Sequence, residues 1–159
     1  MADSTNGIDP RGPRFGAAIT GVLLLVTIGV WLTGHTLVAT VIFAFITLVF
    51  AWGAFAGIKR HPYGLFFKAV IRPRLKPPTE LEDPTPPTFA QGVGLVITLA
   101  GLLLSFIPGL QLALPIAAGL AFIAAFLNSV FAYCLGCQIY LLLVRLGVLG
   151  RKRSTPAAA

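Results

Sequence analysis

The chain has 159 residues, of which 57% are hydrophobic and 11% are charged, and its formal net charge is +7. A soluble domain needs a solvated, charged surface, so this composition excludes an ordinary soluble globule and indicates a chain that lies in lipid. The positive charge does not indicate a nucleic-acid partner, because the cations flank apolar segments and do not cover a soluble face. We therefore expect a lipid bilayer as the main surrounding of the chain.

The first apolar hairpin is predicted over residues 15–58, after a polar N-terminal tail at residues 1–14. The uncharged run over residues 15–33 has the roughly 20 residues that one bilayer crossing needs. No signal-peptide cleavage site follows that run. A minimal turn at residues 33–36 leads into a second uncharged run, residues 37–58. Together the two runs predict a helical hairpin.

A polar region over residues 59–88 separates this hairpin from the rest of the chain. Pro62 predicts the end of the second helix, because proline lacks an N–H and disfavours helix in the preceding residue. Residues 63–72 mix aromatic and aliphatic side chains with two cations, which predicts a short amphipathic segment on the membrane surface. Residues 73–87 hold six prolines and predict an extended linker without a packed fold.

The second apolar hairpin is predicted over residues 89–149, and a basic tail follows at residues 150–159. Thr88 lies three residues before Gln91, the spacing of a capping box, which predicts that the third helix begins here. It ends at a Pro-Gly pair. The last apolar stretch, residues 112–150, would measure more than about 50 Å as one helix, against about 30 Å of hydrocarbon. Part of it must therefore bend or project.

The distribution of charge predicts the orientation of these helices. The lysines and arginines all lie at one end of the four predicted helices, and the turns at residues 33–36 and 108–115 carry none. The positive-inside rule makes the charged end cytoplasmic. We predict an all-α, polytopic membrane protein with four transmembrane helices in two hairpins and both termini in the cytoplasm. The apolar runs carry no charge before Arg145, which argues against a proton-coupled pump.

The chain has two cysteines, and both lie in the sequence Cys134-Leu135-Gly136-Cys137. Helical spacing puts both sulfurs on one face, close enough for a disulfide or for shared coordination of a soft metal, and Gly136 lets the helix yield there. Three interpretations stay open: a reactive dithiol or sulfur carrier, two small buried hydrophobes, or a metal site. Two thiolates are an incomplete zinc site, so a metal would need His61 or a second chain.

The depth of the cysteine pair in the membrane decides its reactivity. If the fourth crossing starts near Pro115, about 20 residues bring it to the pair, which then lies at the cytoplasmic rim. Residues 138–150 would form an interfacial extension, and the basic residues 59–61 would favour the thiolate. If Arg145 instead marks the headgroups, Cys137 lies about 12 Å inside the hydrocarbon, where desolvation keeps the thiol inert. We favour the rim placement.

Several features of this sequence occur together in one known family. They are Asp9-Pro10-Arg11 before the first helix, the His61-Pro62 turn, the basic and then proline-rich loop, and a final helix with Asn128, Cys134-Leu135-Gly136-Cys137 and Tyr140. In this combination the chain resembles, over nearly its whole length, the small bacterial membrane proteins grouped as domain of unknown function 4395. That family is associated with thioredoxin-like and sulfurtransferase-like proteins. The resemblance implies thiol redox or sulfur transfer at Cys134 and Cys137, in the bacterial inner membrane.

The leading hypothesis is a membrane thiol protein that exchanges reducing equivalents or sulfane sulfur with a cytoplasmic thioredoxin-like or rhodanese-like partner. One cysteine attacks and the other resolves, and the sequence allows Cys134 and Cys137 either role. The alternative is a non-catalytic accessory or scaffold subunit that docks other membrane subunits or a second copy of the chain while the cysteines pack. We predict no cofactor, and the sequence leaves open whether the chain is an enzyme.

Overall fold

The structure is a computed structural model that describes residues 7–149, and its elements are almost entirely helical. The four long helices are α1 (Arg11–Leu32), α2 (Thr36–Ala56), α4 (Thr85–Ser105) and α5 (Ala113–Phe131). Between α2 and α4 lie a 3-10 turn (Ile58–Arg60), the short α3 (Pro62–Phe66), a π-helical turn (Phe67–Ile71) and a second 3-10 turn (Arg72–Arg74). Helix α6 (Leu135–Arg145) follows α5. Residues 1–6 of the predicted N-terminal tail and the predicted tail at 150–159 lie outside the described residues.

The four long helices have the length and composition of membrane spans. At 19 to 22 residues, each is about 30 Å long, which matches the hydrocarbon core of a bilayer. Large apolar side chains cover their outer surface, as at Leu37 and Phe55, which are 77% and 85% exposed. Such a surface is stable against lipid and unstable against water. For residues 7–149 the prediction of an all-helical fold is confirmed, with four helices long and apolar enough to cross a membrane, which is the form of a multi-pass membrane protein.

The long helices form a square bundle in which α1 and α4 each pack against both α2 and α5. The centre of this bundle is filled by large side chains from three helices and by alanines of α5: Leu24, Phe43, Ile46, Leu114, Ala117, Ala118 and Ala121. Short turns join α1 to α2 and α4 to α5, so the helices alternate in direction. The start of α1, the end of α2, the start of α4 and the end of α5 therefore share one end, which we call the loop end. The opposite end, with residues 33–35 and 106–112, is the turn end.

Helix α4 begins earlier than the sequence analysis predicted. Its first residue is Thr85, whose N–H donates to Asp83 Oδ1 at 2.8 Å. The prolines at 86–87 occupy the first turn, where a missing N–H costs nothing because that group has no partner within the helix. The capping-box prediction at Thr88 is therefore wrong. Thr88 instead lies inside the helix, and its Oγ1 accepts the N–H of Ile58 at 3.1 Å.

The loop between α2 and α4 is packed against the beginning of α1. Ile8 and Glu82 exchange two backbone hydrogen bonds of 2.9 Å. Phe67 is buried, and its ring lies 5.8 Å from that of Phe15, centroid to centroid. The prediction that residues 73–87 form a linker without packed structure is thus wrong at its C-terminal part, where the chain is paired and then helical.

The last apolar stretch bends, as its length predicted, but not where the sequence analysis placed the yielding point. Helix α5 ends at Phe131, and Ala132 takes a left-handed conformation with φ of 58°. The N–H of Tyr133 donates to the carbonyl of Leu127 at 3.1 Å, a closure that commonly ends helices. Gly136 lies beyond this break, within α6, so the prediction that the helix yields at Gly136 is wrong.

Candidate functional site

The two cysteines are joined by a disulfide at the first turn of α6. The Cα atoms of Cys134 and Cys137 are 5.2 Å apart, a usual separation for bonded cysteines. Cys134 is extended, with φ of −85° and ψ of 101°, and precedes the helix as its N-cap residue. The predicted placement of both cysteines inside one continuous helix is therefore wrong. Their spacing still brings the sulfurs together, because the N-cap side chain faces the third helical residue across the first turn.

The sulfur of Cys134 takes the place of a capping oxygen. Cys134 Sγ accepts the backbone N–H of Cys137 at 3.3 Å, and the Cys134 carbonyl accepts the N–H of Gln138 at 3.0 Å. The free amides at the start of a helix carry partial positive charge, which stabilises an anion at this position. A cysteine at a helix N-terminus is accordingly shifted toward its thiolate. Of the two sulfurs, that of Cys134 has the position that best stabilises negative charge.

Helix α6 is held against the start of α4 by a close contact between backbones. A Cβ added to Gly136 would lie 2.5 Å from the Cβ of Ala90, so no larger residue fits there without movement. One turn further along α6, the ring of Tyr140 lies 5.5 Å from that of Phe89. Gly136 is thus explained by helix contact and not by flexibility. These contacts fix the disulfide at the loop end of the bundle.

The disulfide is partly exposed at the surface of the bundle. Cys134 and Cys137 are both half-buried, and the neighbouring Tyr133 is exposed. Helix α6 has 11 residues, about 16 Å in length, which is too short to cross the hydrocarbon again. The pair therefore follows the fourth long apolar helix in the chain, and its placement at the membrane rim stays a prediction.

His61 contacts neighbours other than the disulfide. Its side chain is 4% exposed, and its ring lies edge-on to Tyr63 with centroids 5.2 Å apart. A Cβ on Gly53 would lie 2.8 Å from the ring and 2.7 Å from Gln91, which places His61 at the contact of α2 with α4. Burial lowers the pKa of His61 to about 4. His61 is therefore neutral at pH 7, and the positive charge that we expected it to lend the thiolate is not present.

Residues 7–149 supply no third ligand for a metal ion at the cysteine pair. Among residues 7–149, no group of three or more His, Cys, Asp or Glu side chains lies close enough together to hold a metal ion. The sulfurs of Cys134 and Cys137 are bonded to each other. A soft-metal site would need reduction of the disulfide and ligands from a second molecule, and it stays a prediction on those terms.

A second polar cluster, which the sequence analysis did not single out as a site, lies beneath the start of α1. Asp9, 9% exposed, accepts the backbone N–H of Arg11 at 3.0 Å and its guanidinium at 2.7 Å. Arg11 Nη2 also donates to the carbonyl of Lys76 at 3.1 Å, and Arg72 Nε lies 3.9 Å from Asp9. These bonds from Arg11 lower the pKa of Asp9. The only sign of this cluster in the sequence is Asp9-Pro10-Arg11. Its partners, Arg72 and the carbonyl of Lys76, come from the loop.

Four helices that are long and apolar enough to cross a membrane, followed by a shorter apolar helix with a half-exposed disulfide at its start, give the chain the form of a multi-pass membrane protein with a cysteine pair. The chain belongs to the family described as Domain of unknown function (DUF4395), whose family model matches residues 8–145. The family indicated by the resemblance is thereby confirmed. Comparison with the curated proteins gave no match, and comparison with the solved structures gave none either.

Proposed function

We propose that the chain is a thiol–disulfide exchange protein of the bacterial inner membrane, and that Cys134 and Cys137 exchange electrons with a cytoplasmic thioredoxin-like protein. The observation that carries this proposal is the sulfur of Cys134 at the N-cap of α6, 3.3 Å from the Cys137 N–H. A helix N-terminus is where reactive cysteines gain thiolate character. Two cysteines that only fill space would need neither this position nor a disulfide.

The position of Cys134 assigns the two sulfurs different parts in the exchange. A thiolate of the partner's dithiol attacks Sγ of Cys134, the bond to Cys137 breaks, and Cys137 leaves as a thiolate that takes a proton from water. The partner's second thiolate then attacks the partner sulfur of the mixed disulfide and releases Cys134. Two electrons have passed to the pair, and the partner is left as a disulfide. In this second step Cys134 is the leaving group, and the helix N-terminus favours its release because it stabilises the Cys134 thiolate.

The same pair supports sulfur transfer from a rhodanese-like partner. A sulfane sulfur delivered to reduced Cys134 gives a persulfide, and the thiolate of Cys137 can attack the inner sulfur of that group. The Cys134–Cys137 bond forms and hydrogen sulfide leaves. Reductive exchange is the primary proposal, and this reaction differs from it in releasing sulfide.

The proposed orientation rests on the cations of the loop end. Lysines and arginines of residues 7–76 lie at the loop end, and the turn end has none. The positive-inside rule favours the loop end in the cytoplasm, with both termini there. Disulfides in that compartment are mostly catalytic or redox-sensing ones, because thioredoxin and glutathione reduce structural ones. This orientation therefore agrees with a disulfide that turns over.

The experiment that tests this function compares the two single-cysteine variants in intact membranes. Cys137→Ser leaves Cys134 to form a mixed disulfide that cannot be resolved, and Cys134→Ser is its matched control. We expect Cys137→Ser to trap a thioredoxin-like protein at least about tenfold more than Cys134→Ser, because the Cys134 thiolate, stabilised at the helix N-terminus, attacks the disulfide of the oxidised partner and releases one of its two thiolates. Equal trapping by both variants would overturn the assignment of roles. In the wild-type protein, a Cys134–Cys137 disulfide that stays intact when reductant is added to native membranes would overturn the proposed function itself.

An accessory subunit is the second candidate, and one feature favours it. An apolar groove of about 560 Å³ opens between the end of α2, the start of α4 and α6, with Phe89, Val93 and Tyr140 in its wall. A helix of another membrane protein could pack there. Replacing both cysteines with alanine separates the two candidates: a subunit keeps its complex and its cellular role, whereas an exchange protein loses its activity.

A further inference from the structure

A basic cavity lies at the loop end, apart from the disulfide. It has a volume of about 330 Å³ and is formed by the chain between the π-helical turn and the proline-rich segment. The charged residues that line it are all cations: Lys68, Arg72 and Lys76. Leu75 and three prolines complete the wall. Because proline restricts the backbone, this wall is largely pre-formed before any ligand enters.

The cavity is held in shape by hydrogen bonds and ion pairs around Asp9, which involve Arg11, Arg72 and the carbonyl of Lys76. Arg11 donates to the carbonyl of Lys76 at 3.1 Å, which ties one side of the cavity to the start of α1. The carboxylate of Asp9 is already occupied by three hydrogen bonds from the Arg11 side chain, of 2.7 to 3.2 Å. Arg72 Nε stays 3.9 Å away, beyond hydrogen-bond distance, so its guanidinium keeps its donors for a ligand. Two cations, Arg11 and Arg72, thus lie beside the one carboxylate of Asp9.

Exposed apolar side chains lie in the same loop segment as these cations. Leu65, Phe66, Val70 and Leu75 belong to this loop segment and are between 39% and 53% exposed. Water does not stabilise such a cluster, whereas the zone between headgroups and acyl chains accepts apolar side chains beside lysine and arginine. A free anion would use the cations alone. A phospholipid uses both groups of residues.

We propose that the cavity binds the phosphodiester headgroup of an anionic phospholipid. Lys68 and Lys76 supply point charges to the phosphate, and the planar guanidinium of Arg72 supplies paired donors. Leu75 and its exposed apolar neighbours contact the glycerol and the upper acyl chains. The Asp9–Arg11 cluster holds the loop in place for this ligand. The site is independent of the thiol function, so Cys134→Ser should bind the lipid as the wild type does.

The test uses the purified full-length protein in detergent and native mass spectrometry. Phosphatidylglycerol is titrated against phosphatidylcholine with the same acyl chains. The variant is Lys68→Gln with Lys76→Gln, and the control is Arg60→Gln with Arg74→Gln, which removes the same charge from exposed residues of the same loop outside the cavity. All four side chains are exposed, so both proteins should fold.

The wild type should bind phosphatidylglycerol at least about tenfold more tightly than phosphatidylcholine. The Lys68 and Lys76 variant should lose about 30-fold in affinity for phosphatidylglycerol, since each cation near an anionic lipid contributes about fivefold. The control should lose less than about threefold. An equal loss in the control, or equal binding of both lipids, would overturn the proposal. Full displacement of the lipid by excess inorganic phosphate would show a site for free phosphate and would also overturn it.

Discussion

The two ends of the helical bundle are built on different principles. At the turn end, short connections close on themselves, as where Thr33 Oγ1 donates to the carbonyl of Val30 at 2.8 Å. At the loop end, the segment before α1 pairs with the loop before α4, and α6 with its disulfide packs against α4. Short turns are sufficient to hold such a bundle. The additional structure at the loop end surrounds both the disulfide and the basic cavity, which are the sites of the two proposals.

Ionisable groups follow the same division. In the described residues, His35 is the titratable side chain of the turn end, whereas the loop end holds Asp9, His61 and most of the cations. Substitutions and pH changes should consequently affect the loop end more than the turn end.

The largest expected effect is a loss of stability in acid caused by His61. Burial lowers the pKa of His61 to about 4, and unfolding restores the ordinary value of about 6.5. Between these values the unfolded chain takes up a proton that the folded chain does not. The free energy of unfolding should therefore fall by about 1.4 kcal/mol for each pH unit in that window. Unfolding in detergent, followed from pH 7 downward, measures this slope.

His61→Asn is the variant that checks the origin of the acid sensitivity. Asparagine does not titrate, so the slope between about pH 6.5 and about 4 should disappear, whatever the substitution does to stability at pH 7. A slope that persists in His61→Asn would assign the effect to another group.

The next effect concerns the contact that holds α6 on α4. In Gly136→Ala, the new Cβ would lie 2.6 Å from the Cα of Ala90, and backbone cannot move aside as a flexible side chain can. We expect a loss of about 2 kcal/mol in the stability of the docked helix. Hydrogen exchange of the α6 amides measures this loss, and the rate of thiol exchange should change with it.

Gly29→Ala is the matched substitution within α1. No atom lies within 4 Å of a Cβ added there, so alanine should stabilise the helix by up to about 1 kcal/mol. Opposite signs for the two glycines would confirm that α6 is docked by close contact. A stabilising Gly136→Ala would show that α6 is loosely held.

The parts of this structure that sequence predicts are those set by hydrophobic runs. The four crossings follow from run length alone, because lipid requires about 20 apolar residues. The start of α4 was missed because Pro86 and Pro87 read as a linker, although proline is tolerated in the first turn of a helix. The break after α5 could not be predicted from the sequence, because alanine rarely takes the left-handed conformation that Ala132 has here.

The candidate site was predicted in part. The spacing of Cys134 and Cys137 identified the pair, but its position at a helix N-terminus depends on that unreadable break. The packing of Phe67 beneath α1 was also missed, because it depends on tertiary contacts between distant segments. Sequence thus predicts the residues that carry chemistry better than it predicts the backbone that sets their reactivity.

A smaller effect is expected at Asp9. Arg11 lowers the pKa of Asp9, mainly through its side-chain hydrogen bonds. The ionised carboxylate therefore contributes stability above the ordinary aspartate pKa of about 3.9, and that contribution is lost as the pH falls below it. Asp9→Asn should cost about 1 kcal/mol at pH 7 and progressively less in acid. Hydrogen exchange in residues 62–76 measures the cost, and Glu80→Gln, matched for charge on an exposed residue, should change it by less than about 0.5 kcal/mol.

The smallest expected effect is the difference in stability lost when either of two hydroxyl groups, at opposite ends of α4, is removed. Thr88 Oγ1 accepts the N–H of Ile58 from a different segment, at 3.1 Å, whereas Ser105 Oγ donates to Leu102 in its own helix. Thr88→Val removes the acceptor of a backbone N–H and should cost about 1 kcal/mol of stability. Ser105→Ala should cost less than about 0.5 kcal/mol, because the carbonyl of Leu102 does not need the serine hydroxyl as a donor. Denaturant unfolding of both variants in detergent measures the difference. Equal costs would mean that the bond between the 3-10 turn after α2 and helix α4 contributes no more than a helix's own hydrogen bonds. The two ends would then differ in their chemistry but not in the stability of their contacts.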